Sequence, residues 1–66
     1  MEAKVLIENI IELENGGESL KTGETCRYCK DFLSYEELSI LLNNKIDGYK
    51  ITNDYKDYNY IVIEKV

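Results

Sequence analysis

Apolar and polar positions change rhythm three times along this chain, and each change marks a candidate element. The clearest rhythm lies between Asp31 and Asn44, reading DFL-S-YEE-LSILLNN. Ser34 is placed to cap a helix, because its hydroxyl can accept from a free backbone N–H in the first turn. Glu37 stands three residues on, where its carboxylate can return a bond to the backbone N–H of Ser34 and close a capping box. Leu33 and Leu38 occupy the staple positions on either side of that cap. Tyr35, Leu38, Leu41 and Leu42 then recur at helical spacing, with Ile46 continuing the stripe. Tyr35 is expected in the core on this pattern, and Ile40 on the opposite side of the helix. Asn43-Asn44 and Asp47-Gly48 are stop signals.

Two rhythms compete from Ala3 to Leu13. As a strand, Ala3, Val5, Ile7, Ile11 and Leu13 share one face, while Glu8, Glu12 and Glu14 share the other with Leu6 and Ile10. As a helix, Ala3, Leu6, Ile7, Ile10 and Leu13 also make a stripe. The β-branched residues Val5, Ile7, Ile10 and Ile11 favour a pleated surface. Asn15-Gly16 then follows at once, a strong hairpin signal after a patterned run. These two observations predict a strand, with residues 18–25 as its returning arm, bent or ended at Gly23.

The last third predicts a second hairpin. Tyr49 to Thr52 form one arm, Asn53 to Asp57 the turn and Tyr58 to Lys65 the other arm. Tyr60-Ile61-Val62-Ile63 is apolar on both faces, as befits a central strand or one whose outer face another molecule covers. The expected fold is therefore α+β: a small antiparallel sheet of two hairpins, in ββαββ order, with one helix packed on one face.

Composition narrows what such a domain can do. Sixty-six residues allow a single domain, 1–66, with a core so small that a metal, disulfide or partner chain would be a natural support. The 44% apolar content is too high for a disordered tail. No apolar run approaches the ~20 residues of a membrane span, and glutamates interrupt the N-terminal stretch in a way a secretory leader would not tolerate. A cytoplasmic location without a membrane partner is the expectation. Ile, Asn, Lys and Tyr dominate and proline is absent, a bias common in low-GC genomes and their phages.

The net charge is −5, concentrated in the first 24 residues, and the chain lacks the basic footprint of a direct nucleic-acid ligand. An acidic chain suits a partner with a basic surface. Along a strand, Glu8, Glu12 and Glu14 would point the same way, in a row whose alternate positions are ~6.5–7 Å apart, of the order of successive phosphates. Such a row could imitate DNA and occupy a basic groove. The small phage inhibitors of uracil-DNA glycosylase act in this way. The chain is similar to them in size, acidity and sheet-plus-helix plan alone, with no motif matched residue by residue.

Two further features could carry chemistry. Cys26-Arg27-Tyr28-Cys29 has the spacing of half a zinc knuckle, but zinc takes four ligands and the chain has no histidine and no third cysteine. A complete site would need the same pair from a second chain, giving a zinc-bridged homodimer. Two reduced cysteines with no special duty, a local disulfide or a redox pair are the other readings. The second feature is the tyrosine content. Tyr49, Tyr55, Tyr58 and Tyr60 are interleaved with Asn and Asp, a mixture shared with protein-binding paratopes, where Tyr supplies contact area at small entropic cost. Cross-strand pairing inside the sheet is the structural alternative.

Catalysis has little to stand on: no histidine, no Gly-rich phosphate loop, and no nucleophile with a partnering base. The expected function is a protein-binding module. Its concrete form is a phage- or mobile-element-type inhibitor that occupies a host nucleic-acid-handling or defence protein through Glu8, Glu12, Glu14, Tyr49, Tyr55, Tyr58 and Tyr60. No cofactor is required. The alternative is the zinc-bridged homodimer held by Cys26 and Cys29.

Overall fold

The computed structural model describes residues 2–66. Helix α1 (Ala3–Glu14) is followed by strand β1 (Thr25–Cys29), a single 3-10 turn (Lys30–Phe32), helix α2 (Tyr35–Asn43), and strands β2 (Tyr49–Asn53) and β3 (Tyr60–Lys65). The strands form one antiparallel sheet in the order β1-β3-β2. The α+β class stands, but the order is αβαββ, with two helices and one hairpin in place of one helix and two.

The correction begins at the N-terminus. Residues 3–14 are helical, and Leu6, Ile7, Ile10 and Ile11 all lie buried on one side. A strand would have left Leu6 and Ile10 on the polar face. The helix costs its isoleucines and valine a few tenths of a kcal/mol each in propensity. Burial of each large aliphatic side chain contributes about 1.5–3 kcal/mol, so packing decides the conformation. Leu13, expected in either stripe, is left exposed.

Asn15-Gly16-Gly17 ends this helix and makes no hairpin. Gly16 takes φ +64°, and the Gly17 N–H donates to the Glu12 carbonyl at 2.8 Å, the long bond of a Schellman stop. A tight hairpin and a helix stop both need positive φ at this point, so Asn-Gly signals either. Of the expected returning arm, 18–25, only Thr25 is strand, as the first residue of β1, and 18–24 are a connector. Leu20 is pressed into the core, and Gly23 donates its N–H to the Lys65 carbonyl at 2.7 Å where the chain enters β1.

Helix α2 has the expected start. Ser34 Oγ accepts from the Glu37 N–H at 3.1 Å, and Glu37 Oε1 accepts from the Ser34 N–H at 2.8 Å. Leu33 and Leu38 are both packed against the core. Tyr35 departs from expectation: it is 90% exposed, and Leu41 is the one fully buried side chain of the helix.

The second hairpin is present as β2 and β3. β3 is indeed central, pairing Ile63 with Cys26 on one side and with Ile51 on the other. Cys26, Tyr28, Tyr49, Ile51, Ile61 and Ile63 occupy register positions on one face of the sheet. Both helices cover that face, α1 over β1 and α2 over β2. Thr25, Arg27, Cys29, Lys50, Thr52, Tyr60, Val62 and Glu64 occupy the other face, which carries no second layer among the described residues.

Candidate protein-binding surface

The loop from Asp54 to Asn59 joins β2 to β3 and is held at both ends by its own side chains. Asp54 follows directly on β2, and its N–H donates to the Tyr60 carbonyl at 3.0 Å. Its Oδ1 accepts from the Lys56 N–H at 2.9 Å, and its Oδ2 accepts from Arg27 Nε at 2.7 Å. The Asp54 side chain is 10% exposed, with Arg27 half-exposed above it. The Lys56 N–H, followed by the hydrogen bond and charge of Arg27, holds the Asp54 carboxyl below the usual carboxylate range, against burial, which pushes it up. At the far end, Asp57 Oδ1 accepts from the Asn59 N–H at 3.0 Å, and the Asp57 carbonyl accepts from the Tyr60 N–H at 3.0 Å. The Arg27 guanidinium also lies 4.3 Å from the centre of the Tyr60 ring, a cation–π contact. Arg27 therefore ties the loop's first residue and the first ring of β3 to the opposite edge strand.

This frame presents two of the four candidate tyrosines. Tyr55 is 79% and Tyr58 71% exposed. Tyr60 is half-buried beneath Arg27 on the bare sheet face. Tyr49 is half-buried on the helix side, with Lys65 Nζ 4.6 Å from its ring centre. The structure thus splits the set: Tyr55 and Tyr58 are free to meet a partner, Tyr60 flanks them, and Tyr49 is engaged in the domain itself.

The glutamate row does not form. Helical geometry leaves Glu8 and Glu12 one turn apart on the exposed side of α1, and turns Glu14 away from both. Burial pushes the Cys26 thiol and the Tyr28 hydroxyl up, and the Glu14 charge adds to the rise in both. The regular phosphate-like spacing was a property of the strand reading and goes with it.

Both cysteines are free and half-buried. Residues three apart in a strand point to opposite faces. Cys26 therefore sits on the helix-covered side opposite Ile63, and Cys29 on the bare side opposite Tyr60. As β1 holds them, the two sulfurs do not converge on one point. Among the described residues no group of three or more His, Cys, Asp or Glu side chains could hold a metal ion. No helix there is long and apolar enough to cross a membrane.

Sequence reasoning missed Arg27 and Asp54. Their pairing spans 27 positions and crosses the sheet, so no local spacing announces it. The available hint was an Asp directly after Asn53 in a predicted turn, since Asp commonly bonds the backbone two residues on. A second feature, also unforeseen, is an open cleft of about 470 Å³ between the end of α2 and β2, with Leu41, Leu42, Ile46, Tyr49 and Ile51 among its walls. Comparison of the chain with family models, curated proteins and solved structures finds no match.

Proposed function

We propose that this chain is a small protein-binding module whose contact surface is the Asp54–Asn59 loop together with the adjoining bare face of the sheet. One observation carries the reading: two largely exposed tyrosines stand on a loop whose backbone is already locked by Asp54, Asp57 and Arg27. A surface ordered before contact loses little entropy on binding. Tyrosine brings large area, two stiff torsions and a hydroxyl that tolerates a wet rim. The bare face adds Val62, Thr52 and the stacked Arg27–Tyr60 pair, so apolar and hydrogen-bonding groups alternate across it.

The partner is a protein with a neutral-to-basic surface, in keeping with a chain of net charge −5. Occupation of a nucleic-acid-handling or defence protein, as an inhibitor would do, is the concrete form. Glu8 and Glu12 contribute long-range attraction from the helical layer. The test is capture of partners on the immobilised chain, followed by titration calorimetry of the purified pair. Tyr55→Ser with Tyr58→Ser is expected to weaken binding about a hundredfold or more, as loss of two interface anchors does, while circular dichroism stays that of the parent. Equal affinity of parent and variant would reject the surface.

A further inference from the structure

We propose that the partner adds a strand to the sheet: an extended segment carrying a lysine or arginine pairs with the outer edge of β1. This deepens the binding reading above and rests on it. β1 meets β3 along one edge, and its other edge is the rim of the sheet. Backbone bonds at both ends of the strand set its parity. Lys65 donates its N–H to the Glu24 carbonyl at 3.0 Å, and Lys30 donates to the Asn59 carbonyl at 2.7 Å. In an antiparallel ladder bonded pairs alternate, so Glu24, Cys26, Tyr28 and Lys30 turn their backbone groups toward β3. Thr25, Arg27 and Cys29 turn theirs outward. No turn or loop bond among the described residues reaches these N–H and C=O groups, which form an open template for an extended chain.

The two rims of the sheet differ. At β2, Ile46 is bridged antiparallel to Tyr49 and its carbonyl takes the Tyr49 N–H at 3.2 Å, so the chain itself covers the start of that edge. Edge strands are commonly blunted by proline, lysine or a bulge. β1 has none of these: it reads TCRYC, and its five residues pair with β3 in unbroken register. Its one charge, Arg27, is drawn across the bare face by Asp54 and Tyr60 and does not guard the rim. The rim also runs on into the tyrosine loop, because the Lys30–Asn59 bond joins the two. A segment laid along β1 therefore ends beside the surface already assigned to the partner.

Side chains beside the rim select the charge of the segment. A residue opposite Tyr28 lies on the helix-covered side of the sheet. There the Phe32 ring, 71% exposed, stands 5.8 Å from the Tyr28 ring. Glu14, the last residue of α1, acts through its charge on both Cys26 and Tyr28. It has no cationic partner among the described residues, where Arg27–Asp54 is the one ion pair. Two rings and an unpaired carboxylate suit a guanidinium or ammonium, by cation–π contact and by charge. An acidic residue at the same place would meet Glu14 as a like charge. On the bare side Arg27 stands at the middle of the strand, so the residue opposite it is uncharged.

Three end-capped synthetic peptides test the proposal by amide NMR titration of the full chain. The first is Thr-Val-Thr-Arg-Thr-Val-Thr, the second has Glu in place of Arg, and the third is the first with its threonine amides methylated. The Arg peptide is expected to move the Thr25, Arg27 and Cys29 amides saturably, with a dissociation constant of about 1 mM or tighter. The Glu peptide should bind at least about threefold more weakly, and Glu14→Gln should remove that preference. The methylated peptide should leave the three amides unmoved, since it keeps the side chains and loses the backbone donors. Tyr55→Ser with Tyr58→Ser should bind the Arg peptide as the parent does, so failure of the loop as a contact surface and failure of the rim are read separately. Three amides unmoved by the Arg peptide overturn the proposal, as do equal binding of the Arg and Glu peptides or undiminished binding of the methylated one. Shifts of the same amides with concentration of the chain alone would assign the rim to a second copy and overturn it too.

Discussion

Replacement of Leu41 by alanine isolates what holds α2 to the sheet. Leu41 is 1% exposed and is the only fully buried side chain that this nine-residue helix contributes. Leu38 and Leu33 help only as partly buried neighbours. A nine-residue helix has little stability of its own, since isolated helices shorter than ~12–15 residues are marginal in water. Its place therefore depends on the Leu41 anchor and the Ser34–Glu37 cap. Truncating a buried leucine costs about 2–5 kcal/mol, depending on how far the cavity collapses. A domain of this length has about 3–10 kcal/mol in total, at 0.05–0.15 kcal/mol per residue. Leu41→Ala should therefore remove from about a fifth to all of the stability. Leu42→Ala, one position on and 36% exposed, should cost about 1 kcal/mol or less. Urea unfolding followed by circular dichroism reads both. Equal losses for the two variants, or a loss below about 1 kcal/mol for Leu41→Ala, would refute the placement of α2 over β2 by this one side chain.

Two further outcomes follow from the cap and the loop. Ser34→Ala should cost about 1 kcal/mol, lowering the melting temperature by several degrees. A double-mutant cycle with Glu37→Ala should show coupling, and strictly additive effects would contradict the reciprocal bond pair. The Asp54 carboxyl has a lower pKa folded than unfolded, so its contribution is fully present above the ordinary Asp value. It is lost as pH falls through the lowered folded value. Thermal melts across that acid range should show a steeper loss for the parent than for Asp54→Asn, and parallel profiles would remove Asp54 from the account.

Local chemistry made α2 and the β2–β3 hairpin legible from the amino acids alone. A capping box is closed by residues three apart, and a hairpin by residues adjacent in the chain, so both signals are complete within a short window. The apolar run of Tyr60 to Ile63 likewise marked the strand that pairs on both edges, although its Tyr60 and Val62 lie on the face that carries no second layer among the described residues. Tyr55 and Tyr58 stood out for the same reason, as a composition visible within one turn.

Tertiary packing decided the remainder. Ala3–Glu14 fits either period, and its β-branched residues lean toward sheet by tenths of a kcal/mol. The choice fell to burial of Leu6, Ile7, Ile10 and Ile11 against Leu41, Ile61 and Ile63, worth several times more and supplied by residues 30 or more positions away. Once α1 took the place expected of a strand, β1 became the partner of β3, its two cysteines parted to opposite faces, and Arg27 came within reach of Asp54. Short-range hydrogen bonds are written into neighbouring residues. Which apolar stripe finds a surface to cover depends on the whole chain at once, and no single stretch contains that information.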